Sequence, residues 1–186
     1  MRPFASWFRP SPLESGAHRL YARVVEQARA PAFYAAYGVP DTLDGRFEMV
    51  VLHVFVALRR MKRDGAATSA LAQALFDAMF DDMDRSLREI GVGDLSVGKR
   101  VKDMARGLYG RIAAYDAGLD DAGDALVEAL ARNVYGTVSA PPRPGLDALA
   151  RYVRQAGAAF DTMPAARFDG AEPLPWPTLP HRAGTA

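Results

Sequence analysis

The chain has no cysteine and only three histidines, His18, His53 and His181, in 186 residues. Disulfides, thiolate metal sites and thiol redox chemistry are therefore excluded. Three histidines so widely spaced predict no zinc site either. No charge of one sign dominates, since 23 Lys and Arg face 22 Asp and Glu. Any basic surface must be local, and nucleic acid is not an expected partner. Long hydrophobic runs are missing too. The longest candidate, FEMVVLHVFVAL, closes on Arg59 and Arg60 and is about half of what a membrane span requires. The N-terminus MRPFASWFRPSP is too short and too interrupted by proline for a cleavable signal, and its Trp7 and Phe8 read as part of an exposed end. The expectation is a cytoplasmic protein, at most peripheral at the inner face of the cytoplasmic membrane.

Alternating strand patterns and internal repeats are absent as well. What is present is helical periodicity almost throughout. Leu13, Ala17, Leu20, Val24 and Ala28 form one stripe between Pro12 and Pro31. PAFYAAYG is a short turn, after which Asp41 or Thr42 caps a helix running to about Arg63. That helix is apolar on more than one face, so it is expected to be the central one, with His53 a core or boundary histidine rather than a ligand. DGAAT breaks the chain, and Thr68 or Ser69 opens a helix striped with Leu75, Met79, Met83, Leu87 and Ile90. A further helix carries Val101, Met104, Leu108, Ile112 and Tyr115, with Gly118 placed to stop it. Leu126, Leu130 and Val134 mark a shorter helix, and Leu146, Leu149, Val153, Ala156 and Phe160 the last. The predicted architecture is all-α: one domain of six or seven helices around a single core, spanning 13–163. Residues 1–12 form an N-terminal extension. Residues 164–186 form a proline-rich tail, disordered or laid over the body.

Two stretches resemble chemical motifs. In GVGDLSVGKR, Gly93, Gly98 and Lys99 satisfy most of a phosphate-loop pattern. A phosphate loop needs a buried strand before it and a hydroxyl after its lysine to hold magnesium. Here an amphipathic helix precedes it and Arg100 follows the lysine, so the stretch reads as a helix–helix corner. Gly91 is its helix stop, and Asp94 or Ser96 caps the next helix. Asp77 and Asp81 in DAMFDDMD have the i, i+4 spacing of the magnesium-binding helices of isoprenoid synthases. Such a site needs a second acidic cluster on a facing helix. The one available, Asp120, Asp121 and Asp124, opens a helix where acids are expected anyway. Asp81 with Arg85 and Asp84 with Arg88 are i, i+4 pairs of a solvated face. No G-x-S-x-G, H-E-x-x-H or EF-hand loop occurs. The residues predict no catalytic site, no metal and no cofactor.

FDDMDRSLREIGVGDLSVGKRVKDMARGLYGRIAAY, Phe80 to Tyr115, resembles the ubiquinol–cytochrome c chaperone family, assembly factors of the cytochrome bc1 complex. LYARVVEQARAPAFYAAYGVPDTLDGRFEMVVLHVF upstream is similar to the same family, and the resemblance runs from about Leu20 to the helix near Val153. The long N-terminal region expected of mitochondrial members is not seen, which points to a bacterial relative. The resemblance implies a non-enzymatic helper that binds newly made cytochrome b and supports its assembly. It implies a membrane-protein client and, by analogy with mitochondrial members, a small helical partner protein. Two other readings stay open: a general helical adaptor for another membrane complex, and a magnesium-dependent isoprenoid enzyme using Asp77 and Asp81.

A partner surface is expected on the helix after Gly98. The side away from Val101, Met104, Leu108 and Ile112 carries Lys99, Lys102, Arg106 and Gly110, flanked by Arg100, Gly107 and Arg111. Each glycine inside a helix costs roughly 1 kcal/mol against alanine, and glycine permits another backbone to come close. The competing reading is that Gly107 and Gly110 admit a neighbouring helix of the same domain.

Overall fold

The computed structural model describes residues 11–89 and 94–180, with the side chains of 94–104 excepted. Among the described residues there are seven α-helices, one of them a single turn, two short 3₁₀ helices and no strand. They are α1 (Pro12–Ala28), α2 (Pro31–Ala35), α3 (Leu43–Asp64), α4 (Ser69–Glu89), α5 (Asp94–Asp120), α6 (Ala125–Asn133) and α7 (Arg143–Asp161).

The caps follow from local chemistry. Ser11 accepts from the Glu14 amide while the Glu14 carboxylate accepts from the Ser11 amide, a reciprocal pair at the start of α1. Thr42 caps α3 by accepting from the Gly45 amide at 3.1 Å, and Asp41 is left to pair with Arg46 at 2.6 Å. Thr68 precedes α4 and turns its hydroxyl back onto the Met61 carbonyl, 2.6 Å away.

The centre of the domain is α3. Every residue from Glu48 to Ala57 is buried, because α1, α4, α5 and α7 all pack on it. One edge is fastened electrostatically. Arg59 reaches Asp116 at 2.9 Å and Asp120 at 2.5 Å on α5, and Arg63 reaches Asp161 on α7 at 2.7 Å.

Several expectations change. Leu13 is 43% exposed, because α1 presents Gly16, Ala17, Leu20, Tyr21, Val24 and Ala28 to the core instead. PAFYAAYG contains the single-turn helix α2, opened by Pro31. Gly118 does not stop α5, which continues to Asp120. Its missing side chain lets α6 approach: a Cβ there would lie 2.6 Å from the Leu126 Cα. Ser96 and Gly98 lie within α5, which begins at Asp94, so Ser96 is not its cap. Gly91 and Gly93 lie outside the described residues. After α7 the chain makes a 3₁₀ turn, Ala165–Asp169, and runs over the body to Pro180, burying Phe168 and Leu174.

Candidate functional site

The helix preceding the glycine-lysine stretch is α4, and Gly98 and Lys99 are helical. A phosphate loop needs a strand and a loop at those places. Lys99, Arg100 and Lys102 therefore stand on α5, with side chains outside the described residues. Arg106 is exposed on the same helix, and beside it Tyr109 is 65% exposed, its ring 6.0 Å from that of Phe76 on α4.

Arg111 does something the sequence did not announce. It turns inward and forks onto the carboxylate of Glu48, with Nη2 2.5 Å from Oε1 and Nε 2.8 Å from Oε2. The guanidinium also lies over the Phe47 ring at 5.9 Å. Glu48 is only 6% exposed, so burial raises its carboxyl pKa, and the Arg111 hydrogen bond and charge pull it back only in part. Arg111 is shifted upward by the same hydrogen bond and stays charged. The signal available in the sequence was a lone glutamate inside the apolar run FEMVVLHVF: a carboxylate placed there needs a cation from elsewhere in the fold.

That geometry separates the two glycines. A Cβ at Gly107 would sit 2.5 Å from Arg111 Nη1, so Gly107 leaves room for the arginine held by Glu48. Nothing among the described residues lies within 4 Å of a Cβ built at Gly110. Among the described residues no neighbouring helix uses either position.

The Glu48–Arg111 pair lies in the wall of a groove of about 790 Å³. Its walls come from the end of α1, the first half of α3, α4 from Asp82 to Leu87, Arg111, and α6 with the residues after it. Tyr21 crosses toward it and donates to Asp82 at 2.9 Å. The acidic residues weighed for metal are otherwise engaged or scattered. Asp77 accepts from Gln73 at 2.7 Å, Asp84 pairs with Arg88 at 2.6 Å, and Asp121 accepts from the Gly123 amide at 3.0 Å ahead of α6. Among the described residues no three acidic or histidine side chains are gathered to hold a metal, and no helix is long and apolar enough to cross a membrane.

On the opposite side of α3, His53 is sealed in the core. The Met49 carbonyl at 2.7 Å can only accept, so Nδ1 carries the proton. Nε2 then accepts from the Tyr152 hydroxyl at 3.0 Å, and Gln27 donates to that same hydroxyl at 3.0 Å. Phe33 and Trp176 close over the ring at 5.2 and 4.9 Å. Burial pushes the imidazole pKa down to about 4. His53 is neutral at physiological pH.

The sequence model of the ubiquinol–cytochrome C chaperone family matches residues 35–174. Ubiquinol-cytochrome-c reductase complex assembly factor 1 of Xenopus laevis is 28% identical over 151 residues, covering 81% of this chain and 75% of that protein. The human protein of the same name is also 28% identical, but the match covers only 50% of it. The crystal structure of the Cbp3 homolog from Brucella abortus superposes with a TM-score of 0.79 at 39% identity, over 90% of this chain and 92% of that one. The resemblance seen in the sequence thus extends through the whole helical body, and the chain belongs to the ubiquinol–cytochrome c chaperone family.

Proposed function

We propose that this protein is a non-catalytic chaperone for assembly of the ubiquinol–cytochrome c reductase complex, and that its client is newly made cytochrome b. The observation that carries the reading is the family match over residues 35–174; the names of the relatives speak of assembly of that complex. The α5 face of Lys99, Arg100, Lys102, Arg106 and Gly110 receives the client or the lipid phosphates beside it, while the protein works peripherally at the inner face of the membrane. Gly110 supports this placement, because its cost within the helix is repaid by no packing among the described residues. Arg111 and Gly107 act at one remove: they hold the wall next to that face rather than presenting a free cation.

The test is photocrosslinking in the native cell from positions 106 and 110, with the trapped protein identified by mass spectrometry. Cytochrome b is the expected product. Trapping of subunits unrelated to the bc1 complex would favour an adaptor for another assembly. A Gly110→Leu variant that folds normally and still captures cytochrome b at the wild-type level would remove α5 as the contact.

A further inference from the structure

The groove beside Glu48 has features that neither folding nor the α5 face accounts for. It is lined by apolar side chains, Phe47, Val50, Met83 and Leu87 among them. Leu43, the first residue of α3, lies on its lining and is 60% exposed.

The charges at the groove are unevenly satisfied. Of its carboxylates, Glu48 is held by Arg111 and Asp82 by the Tyr21 hydroxyl. Asp44 lies in the first turn of α3, where the helix dipole favours an acid. Of its arginines, Arg111 belongs to Glu48 and Arg46 to Asp41. Two cations are left over. The guanidinium of Arg29 makes no hydrogen bond or ion pair among the described residues, and Arg132 has only a solvated 3.8 Å contact with Glu128. Both stand at helix ends, Arg29 closing α1 and Arg132 in the last turn of α6, and both line this one groove.

We propose that the groove binds an apolar segment of a partner protein that carries carboxylates, with Leu43, Phe47 and Leu87 taking its apolar side chains and Arg29 and Arg132 its acids. The walls are mainly helical and offer no strand edge among the described residues, so recognition runs through side chains rather than by addition of a strand. A groove of this size holds a few large side chains, within the range of ordinary ligand pockets. Arginine suits the acid end because its planar fork takes a carboxylate in two hydrogen bonds. This selectivity is independent of whether the client is cytochrome b.

The test uses the purified full chain and a phage-displayed random peptide library, so no client has to be known. Peptides selected on the wild type are expected to combine Leu, Met or Phe with at least two Asp or Glu. Their binding should weaken about tenfold or more in Arg29→Glu/Arg132→Glu. Selection on that variant should yield peptides with Lys or Arg in place of the acids. Failure to enrich any peptide, enrichment of peptides without acids, or undiminished binding to the variant would each overturn the proposal. Phosphatidylglycerol vesicles are the control for the other source of anions. Vesicle binding that needs Arg29 and Arg132 while no peptide is selected would make this a lipid site and overturn the peptide assignment. Both arginines are solvated, so circular dichroism should show the variant folded. If it is not, Arg29→Gln/Arg132→Gln decides by the same criterion: peptides selected on it should no longer be enriched in acids.

Discussion

Glu48 and His53 stand little more than one turn apart on α3, both buried, and the fold treats them in opposite ways. His53 is surrounded by neutral partners: a carbonyl, a phenol and aromatic edges. Buried away from solvent and with no counter-charge against it among the described residues, the imidazole is held uncharged. Glu48 has a cation within reach and lies in the wall of an open groove. Burial raises its pKa, but the guanidinium still provides a partner for the ionised form. The difference teaches that burial alone does not decide ionisation on this helix. The neighbours on each side do, and the charged side is the one that lines the groove.

The comparison breaks hardest if the cation is removed. Arg111→Met leaves Glu48 buried without compensation, and the expected loss is about 3 kcal/mol at neutral pH. The sign with pH follows from the raised pKa. A carboxyl that binds its proton more readily when folded favours the folded state as pH falls toward the unfolded value. The deficit of Arg111→Met should therefore shrink between pH 7 and pH 5. The double variant Glu48→Met/Arg111→Met should recover most of the loss. Urea unfolding at the two pH values checks both statements, and a pH-independent deficit would contradict them.

Acidification attacks the other side. The folded pKa of His53, about 4, lies below the ordinary 6.5. Its contribution is present above pH 6.5 and is lost as pH falls through the interval to 4, because the unfolded chain takes up the proton first. The loss amounts to roughly 3 kcal/mol. Carboxylates also titrate in that range, so the measurement is the difference between wild type and His53→Gln. Wild type should lose stability faster with acid; parallel curves would mean that the ring is reached by water.

The tail sharpens the dry side. Trp176 packs on His53 and Phe160, with ring centroids 4.9 and 4.5 Å apart, yet is itself only partly buried. Trp176→Ala is expected to cost about 2 kcal/mol, below the figure for a fully buried aromatic. It should also raise the pKa of His53 toward its ordinary value, as read by NMR titration of the imidazole. An unchanged titration would show that the tail does not seal the histidine.

Most of this body was legible because helices declare themselves by period. The apolar run of α3 identified the central helix, and its cap was narrowed to Asp41 or Thr42, of which Thr42 is the one used. What escaped were relations between distant residues. The stripe in α1 holds at Ala17, Leu20, Val24 and Ala28 and fails only at Leu13, because period alone does not fix how far along the helix the neighbours reach. Gly118 read as a stop because a close helix crossing leaves the same letter as a C-cap. Arg111 read as one cation of an outward partner face because its own partner, Glu48, is 63 residues away on another helix. Trp176 stands in a proline-rich stretch without periodicity, and nothing local says that it closes the core over His53.

The smallest effect is also the cleanest, since it compares two glycines of one helix turn. Alanine in a helix interior is worth roughly 1 kcal/mol over glycine when the new methyl meets nothing. At Gly110 it meets nothing among the described residues within 4 Å, so Gly110→Ala should raise stability by about 1 kcal/mol. At Gly107 the methyl would press on the Arg111 guanidinium, which Glu48 holds with more than one hydrogen bond. The helix gain is then offset by displacement of a half-buried ion pair, and Gly107→Ala should be neutral or destabilising. In an Arg111→Met background the flexible methionine can step aside, and Gly107→Ala should recover its gain. Thermal unfolding of the set reads the coupling directly. Equal stabilisation by both alanines in the wild-type background would mean that Gly107 does not make room for Arg111, and that the groove wall is held by the ion pair alone.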